Sequence, residues 1–326
     1  MIELNQILHG DCLEVMKDID DKSIDLIIAD IPYNISVAKW DKWKTVSSYV
    51  EYIGGVFKEY ERVLKDNGSF YFFHNDFIQV VELQNWINKN LKFVFKQLIV
   101  WNKKFKGSIN EGFLQGFNSV NNLRNYQTMA EYILYYTFQD ETGLTTVMLD
   151  TNNFPTLRGY FRELLNYIDK PKKEIIESIG QKADHCFRWG STQWDLPTQE
   201  TYNELIKVFS IDKYEGFREY ESLRQEYESL RYVFNNQKTH HSVWNYSIAA
   251  SENHCTTKPV DLIENIIRHS SNEGGIVLDS FSGSGTTAVA CINTNRNYIC
   301  IEKDKDYFDA SIKRIEKESI KLKLAK

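Results

Sequence analysis

The apolar positions of this chain fall into short unbroken runs separated by helical stripes. The segment "SIDLIIAD" (Ser23 to Asp30) is a β-branched run that closes on an acid, the pattern of a strand buried on both faces. Between 46 and 66, Val50, Ile53, Val56, Phe57, Tyr60 and Leu64 recur at helical spacing, and Asn67-Gly68 reads as the stop. Three further strands are expected at "SFYFFH" (Ser69 to His74), "FKQLIVWN" (Phe95 to Asn102) and "EYILYYT" (Glu131 to Thr137), with a helix over 77–90. Strands alternating with helices predict a mainly parallel sheet covered on both faces.

The alternation breaks off between about 140 and 242. That stretch holds Pro155, Pro171 and Pro197, mixed charges and many polar aromatics, and it reads as a largely helical insertion. Within it "REYESLR" (Arg218 to Arg224) is followed at once by "QEYESLR" (Gln225 to Arg231). Tyr220, Leu223, Tyr227 and Leu230 form a stripe for packing on the same domain, or for a homodimer. Two heptads do not make a coiled coil. The α/β pattern then resumes: a helix over 259–270 with Pro259 in its first turn, "GGIVLDSFSGSGTTAVAC" (Gly274 to Cys291) as strand, glycine loop and helix, "NYICIEKD" (Asn297 to Asp304) as a strand ending in acid, and a polar helix over 306–325. The expected organisation is 1–139, an insertion over 140–242, and 243–326.

Composition narrows the chemistry only slightly. The 326 residues allow one large domain or two modest ones, and 14% aromatics indicate a globular chain. A net charge of −6 means that any nucleic-acid contact must come from a local patch. The five cysteines are scattered without a C-x-x-C, the usage of a reduced, cytoplasmic protein. His185-Cys186 and His254-Cys255 lack zinc spacing, so no metal is expected. Glu3 and Asp11 interrupt any early signal-like stretch, and no apolar run approaches the roughly 20 residues of a membrane span.

The glycine loop carries the first functional signal. "LDSFSGSGTT" follows an expected strand and opens an expected helix, where glycines let the backbone approach a ligand. It has neither the G-K-[ST] of a phosphate-binding loop nor G-x-G-x-x-G. Glu302, at the tip of the next strand, suits two ribose hydroxyls. Ribose without pyrophosphate points to a nucleoside cofactor such as S-adenosylmethionine.

Four matches, in order, make the chain resemble the DNA amino-methyltransferases of the β group. They are "GDCLEVM" (Gly10 to Met16), "DIPY" (Asp30 to Tyr33) against the family's D-P-P-Y, "TTKPVDLIENII" (Thr256 to Ile267), and "DSFSGSG" (Asp279 to Gly285) followed by the acidic strand. The resemblance implies a Rossmann-like seven-stranded sheet, mostly parallel with one antiparallel strand. It implies a circularly permuted motif order, with the catalytic half first, and an inserted target recognition domain. It also implies S-adenosylmethionine as cofactor, held by Asp11 at its adenine, Lys258 near its methionine moiety, and Asp279, Phe281, Gly283, Gly285, Thr286 and Glu302. The partner implied is double-stranded DNA, in the cytoplasm and at the nucleoid.

The resemblance also gives "DIPY" a task. An adenine N6 amine is a poor nucleophile because its lone pair is delocalised into the ring. Asp30 and the Ile31 carbonyl can each accept one of its hydrogens, Pro32 keeps the carbonyl aimed, and Tyr33 offers a flat face to a base turned out of the duplex. Asp at the first position favours adenine N6 in this family, with cytosine N4 as the alternative. Ile31 replaces the family's first proline and admits a third reading, a catalytically weak DNA-binding relative. Lys103, Lys104 and Lys106, and separately Arg158 and Arg162, are candidate phosphate contacts. Tyr126, in "NYQTMAEYILYYT", resembles a family position against the flipped base, whereas Tyr132, Tyr135 and Tyr136 read as core.

Overall fold

The strand β2 (Ile24–Ala29) sits near the centre of one eight-stranded sheet, and its last four residues are buried on both faces. The structure is a computed structural model that describes residues 2–34, 42–109, 129–138, 154–191, 193–230, 234, 241–249 and 257–325. The other strands are β1 (Gln6–His9), β3 (Leu64–His74), β4 (Val94–Asn102), β5 (Ala130–Thr137), β6 (Val243–Asn245), β7 (Ile276–Asp279) and β8 (Asn297–Glu302). Their order is β1-β8-β7-β2-β3-β5-β4-β6, and every pairing is parallel except the two made by β5. Seven strands were expected. Two of the eight, the four-residue β1 at one edge and the three-residue β6 beside β4 at the other, were not read from the sequence, being too short to leave a periodic signal.

The helices are α1 (Cys12–Val15), α2 (Val46–Val63), α3 (Phe77–Asn90), α4 (Pro155–Ile168), α5 (Lys172–Ile179), α6 (Gln199–Phe209), α7 (Tyr220–Leu230), α8 (Val260–Ser270), α9 (Thr286–Asn293) and α10 (Lys305–Ala325). Thr45 starts α2 with a capping box through Ser48, and its stripe Val50, Ile53, Val56, Phe57 and Tyr60 is buried against the sheet. Burial of each such side chain contributes roughly 1.5–3 kcal/mol. The expected stop at Asn67-Gly68 is not where α2 ends. The helix gives way at Val63 and β3 begins at Leu64, so Asn67-Gly68 lies inside the strand, where the β2–β3 register shifts. A Cβ at Gly68 would meet the Leu64 side chain at 2.6 Å and the Asp25 carbonyl at 3.0 Å, so close packing explains this glycine.

The connection β2–α2–β3 moves to one side of β2, whereas β7–α9–β8 moves to the other. The sheet therefore reverses its winding between β2 and β7, which pair directly through Leu26↔Val277 and Ile27↔Leu278. Ligands of such sheets bind beyond the carboxyl ends of the strands at this point. Asp30 follows β2 and Asp279 closes β7, so the pairing brings two sequence-distant acids to adjacent strand tips.

The chain divides into two compact units, 1–143 with 232–326, and 144–231. The second contains α4–α7 around a core of Leu157, Phe161, Leu164, Tyr202, Leu205 and Leu223. Helix α7 directs Leu223 into that core, and its Tyr220 and Tyr227 hydroxyls donate to the Pro197 carbonyl and to Asp195. Leu223, Tyr220 and Tyr227 thus contribute to packing within the unit. Among the described residues no helix is long and apolar enough to cross a membrane, and no cluster of potential metal ligands occurs. His254 and Cys255 lie outside the described residues.

Candidate active site

The first wall of the site is the turn after β2. Asp30 Oδ2 lies 2.6 Å from Lys258 Nζ, and Asp30 Oδ1 accepts the Tyr33 hydroxyl at 2.8 Å. A second carboxylate, Glu131 on β5, stands 3.2 Å from the same hydroxyl and 3.7 Å from Lys258 Nζ. Its other oxygen takes Lys103 Nζ at 2.7 Å. Two carboxylates, two ammonium groups and a phenol thus form one largely buried network. Burial works against the charge on Glu131, but Lys258 and Lys103 prevail and hold its carboxyl below the usual range. Burial likewise opposes the charge on Lys258, and Asp30 and Glu131 outweigh it, so the ammonium is held above its ordinary value. Burial first, and then the two carboxylates, push the Tyr33 phenol well up, which keeps its hydrogen on the oxygen as a donor. The Lys258 Nζ also lies 5.4 Å from the Tyr33 ring centroid and 5.3 Å from that of Phe73.

The second wall is the loop after β7 with the tip of β8. Asp279 Oδ1 accepts the Phe281 N–H at 3.0 Å and Oδ2 accepts the Thr287 hydroxyl at 2.5 Å. Glu302 accepts the N–H of Gly283 at 2.7 Å on one oxygen and that of Asp304 at 2.7 Å on the other. Gly285 caps α9 at φ +76°, and a Cβ there would come within 3.1 Å of Ser311. Arg314 of α10 reaches the loop from behind, donating at 3.0 Å to the Ser284 carbonyl and to the hydroxyls of Ser284 and Thr286. Among the described residues, the hydrogen bonds to Asp279 and Glu302 come from neutral donors. Burial pushes the Asp279 carboxyl up to about 7; Thr287 and the Phe281 N–H oppose the shift, while Asp30 and Glu302 add to it. Glu302 is also raised, again chiefly by burial.

The two walls enclose a pocket of about 530 Å³. Asp30, Pro32, Lys258, Asp279, Phe281, Gly283, Thr286 and Glu302 all line it. Ile31 is buried beneath the turn, and Gly285 sits behind the loop. Asp11 lies between the lining residues Gly10 and Cys12, where its carboxylate caps α1 through the Leu13 N–H and pairs with Lys303 at 2.9 Å. Trp43, Tyr52 and Tyr307 complete the wall, and nothing in the sequence pattern singled them out. Glu131 was also missed, although a lone acid in an apolar strand is a signal that could have found it.

The expected phosphate contacts separate. Lys103 turns inward to Glu131 and belongs to the first wall. Arg158 is buried, donates to the carbonyls of Trp189 and Ser191, and lies over the Trp194 ring, so it organises the core of the 144–231 unit. Lys106 and Arg162 are exposed, and Lys104 is half-buried. Tyr135 and Tyr136 are buried in the sheet and Tyr132 partly so, whereas Tyr126 and Thr256 lie outside the described residues.

Comparison with known proteins gives a consistent result. The chain is 25% identical over 310 residues to the type II methyltransferase M1.MboII of Moraxella bovis, covering 94% of this chain and 95% of that one. It is 27% identical over 325 residues to the DNA adenine methyltransferase YhdJ of Escherichia coli, covering 96% and 83%. Among solved structures, the fold matches TTHA0409, a putative DNA modification methylase of Thermus thermophilus solved with S-adenosyl-L-methionine, at a TM-score of 0.51 and 17% identity, covering 96% of this chain and 93% of that one. It also matches the cytosine-N4-specific PvuII DNA methyltransferase at 0.55 and 14%, covering 96% and 89%. The family model for N6/N4 methyltransferases, described as DNA methylase, spans residues 24–313 and so takes in both walls of the pocket; the chain belongs to that family.

Proposed function

We propose that this protein transfers a methyl group from S-adenosylmethionine to the N6 amine of an adenine turned out of double-stranded DNA. One observation carries the reading: the Asp30 turn and the Gly283–Glu302 loop line the same pocket. The second wall fits the cofactor's chemistry. Glu302 accepts backbone N–H groups on both oxygens and retains acceptor capacity for ribose hydroxyls. Asp279 is a buried acid with no cation beside it among the described residues, suited to a ligand's positive charge. Trp43, Tyr52 and Phe281 supply apolar and aromatic surface for a purine. The bound cofactor would supply an electrophilic methyl on a sulfonium.

The residues of the first wall then act on the amine. Asp30 accepts one N–H and the Ile31 carbonyl the other, which localises the nitrogen lone pair and supports its developing charge. Tyr33 and Lys258 each occupy one acceptor position on Asp30 and leave others open. They fix the carboxylate's orientation, so little reorganisation accompanies the reaction. Glu131 shares the charge of Lys258, which lets Asp30 meet the amine without a fully committed ion pair. The unit 144–231 is assigned to target recognition, and Lys104, Lys106 and Arg162 to phosphate contacts.

The test is transfer of labelled methyl to duplex DNA, followed by identification of the modified nucleoside. N6-methyladenine supports the reading. N4-methylcytosine replaces the base while keeping the site, and no incorporation with intact cofactor binding overturns transfer altogether.

A further inference from the structure

The turn that carries Asp30 is held from behind by groups outside the pocket lining. Tyr49 on α2 and His74 at the end of β3 are both fully buried. The Asp76 N–H donates to His74 Nδ1 at 3.0 Å, so that nitrogen carries no hydrogen and Nε2 does. His74 Nε2 lies 2.9 Å from the Tyr49 oxygen, and the Tyr49 hydroxyl donates to the Pro32 carbonyl at 2.8 Å. Each hydrogen in this chain has one direction, from Asp76 through His74 and Tyr49 to Pro32. Gln79 Nε2 takes the next carbonyl, that of Tyr33, at 3.1 Å. The two carbonyls that follow Ile31 are therefore fixed by side chains of α2 and α3.

We propose that His74 and Tyr49 are positioning residues that hold the Asp30–Tyr33 turn, and with it the Ile31 carbonyl, in the orientation that receives the target amine. The inference rests on the methyl-transfer reading above. Its rationale lies in Ile31, which lacks the φ restriction of the proline in the D-P-P-Y pattern. The relay supplies from the tertiary structure the rigidity that this covalent ring would have given. Burial pulls the His74 imidazole down to about 4, so it stays neutral and the bond directions hold across the neutral range.

The relay predicts a split between turnover and binding. Tyr49→Phe removes the hydroxyl that links His74 to Pro32. It should lower kcat by on the order of 10–10²-fold, the scale of a small misplacement at a reacting centre. Cofactor Kd should stay within about threefold of wild type, since neither residue lines the pocket. A pair at position 74 separates positioning from packing. His74→Gln can place its amide N–H where Nε2 donates and should keep most of kcat. His74→Asn is too short to bring its amide N–H to the Tyr49 oxygen and should lose turnover as Tyr49→Phe does. The experiment is steady-state methyl transfer at saturating duplex DNA and cofactor, with cofactor binding measured on the same preparations. Equal kcat for wild type and Tyr49→Phe overturns the relay while leaving the functional reading standing. If Tyr49→Phe does not fold, equal kcat for the Gln and Asn variants overturns it instead. A wild-type protein that methylates no DNA overturns the functional reading and the relay with it.

Discussion

The two walls of the pocket are built from similar parts and behave oppositely. Each is a strand tip bearing two acids, one buried and one half-buried: Asp30 beside buried Glu131, and buried Asp279 beside Glu302. In the first wall two lysines enter the network, and Glu131 is held below its usual range despite burial. In the second, only hydroxyl and backbone donors meet the acids, and both are raised. Burial is the largest influence on Glu131, Asp279 and Glu302 alike; the presence of a fixed cation decides the sign. The first wall is thus electrostatically complete and rigid, suited to accept hydrogen bonds from a neutral amine. The second is short of positive charge, which suits it to a cationic cofactor.

The contrast can be broken most severely at Asp30. Asp30→Ala should reduce methyl transfer by about 10²–10³-fold, the scale of losing a preorganised electrostatic partner. Cofactor Kd measured by calorimetry should change little, and a loss of cofactor binding as large as the loss of transfer would erase the division between the walls. Glu131→Gln probes the completeness of the first wall. It leaves Lys103 without its carboxylate and should lower unfolding free energy by on the order of 3 kcal/mol in a denaturant titration. Glu302→Ala should act on the other side, weakening cofactor binding by roughly tenfold or more through the loss of charge-assisted hydrogen bonds. Turnover at saturating cofactor should suffer less.

Protonation sharpens the same comparison. Asp279 is raised from 3.8 to about 7, so between these values the folded chain binds more protons than the unfolded one. Its contribution to stability is therefore full below pH 3.8 and is lost as the pH rises through 7. A cation placed beside it favours the carboxylate, so cofactor binding near pH 7 should release protons and tighten as the pH increases. Calorimetry in buffers of different ionisation enthalpy reads this directly, and Asp279→Asn should abolish the release. The smallest effect is expected at the surface. Lys104→Gln and Lys106→Gln should each lower the slope of log K for DNA against log salt by about one. Lys103→Gln should instead cost stability, because its partner is Glu131.

The legibility of the chain followed its periodicity. Most of the strands and helices of the 1–143 and 232–326 unit were readable because a buried parallel strand and an amphipathic helix each impose a pattern. Strands β1 and β6, four and three residues long, were not, and neither was the end of α2, where Gly68 serves a packed strand rather than a turn. Arg158 was grouped with Arg162 as a candidate phosphate contact, yet it is buried and its guanidinium donates to the carbonyls of Trp189 and Ser191.

The sequence alone determined the chemical inventory at the strand tips: Asp30 to Tyr33 after β2, the glycine loop after β7, and Glu302 at the end of β8. Those are local facts, set by the order of residues along one element. Tertiary structure decided which charges meet. Lys258, Lys103 and Glu131 come from three distant segments, as do Tyr49 and His74 behind the turn. Whether a buried acid is held charged or pushed toward neutrality depends on partners that only the folded sheet brings within a few ångströms.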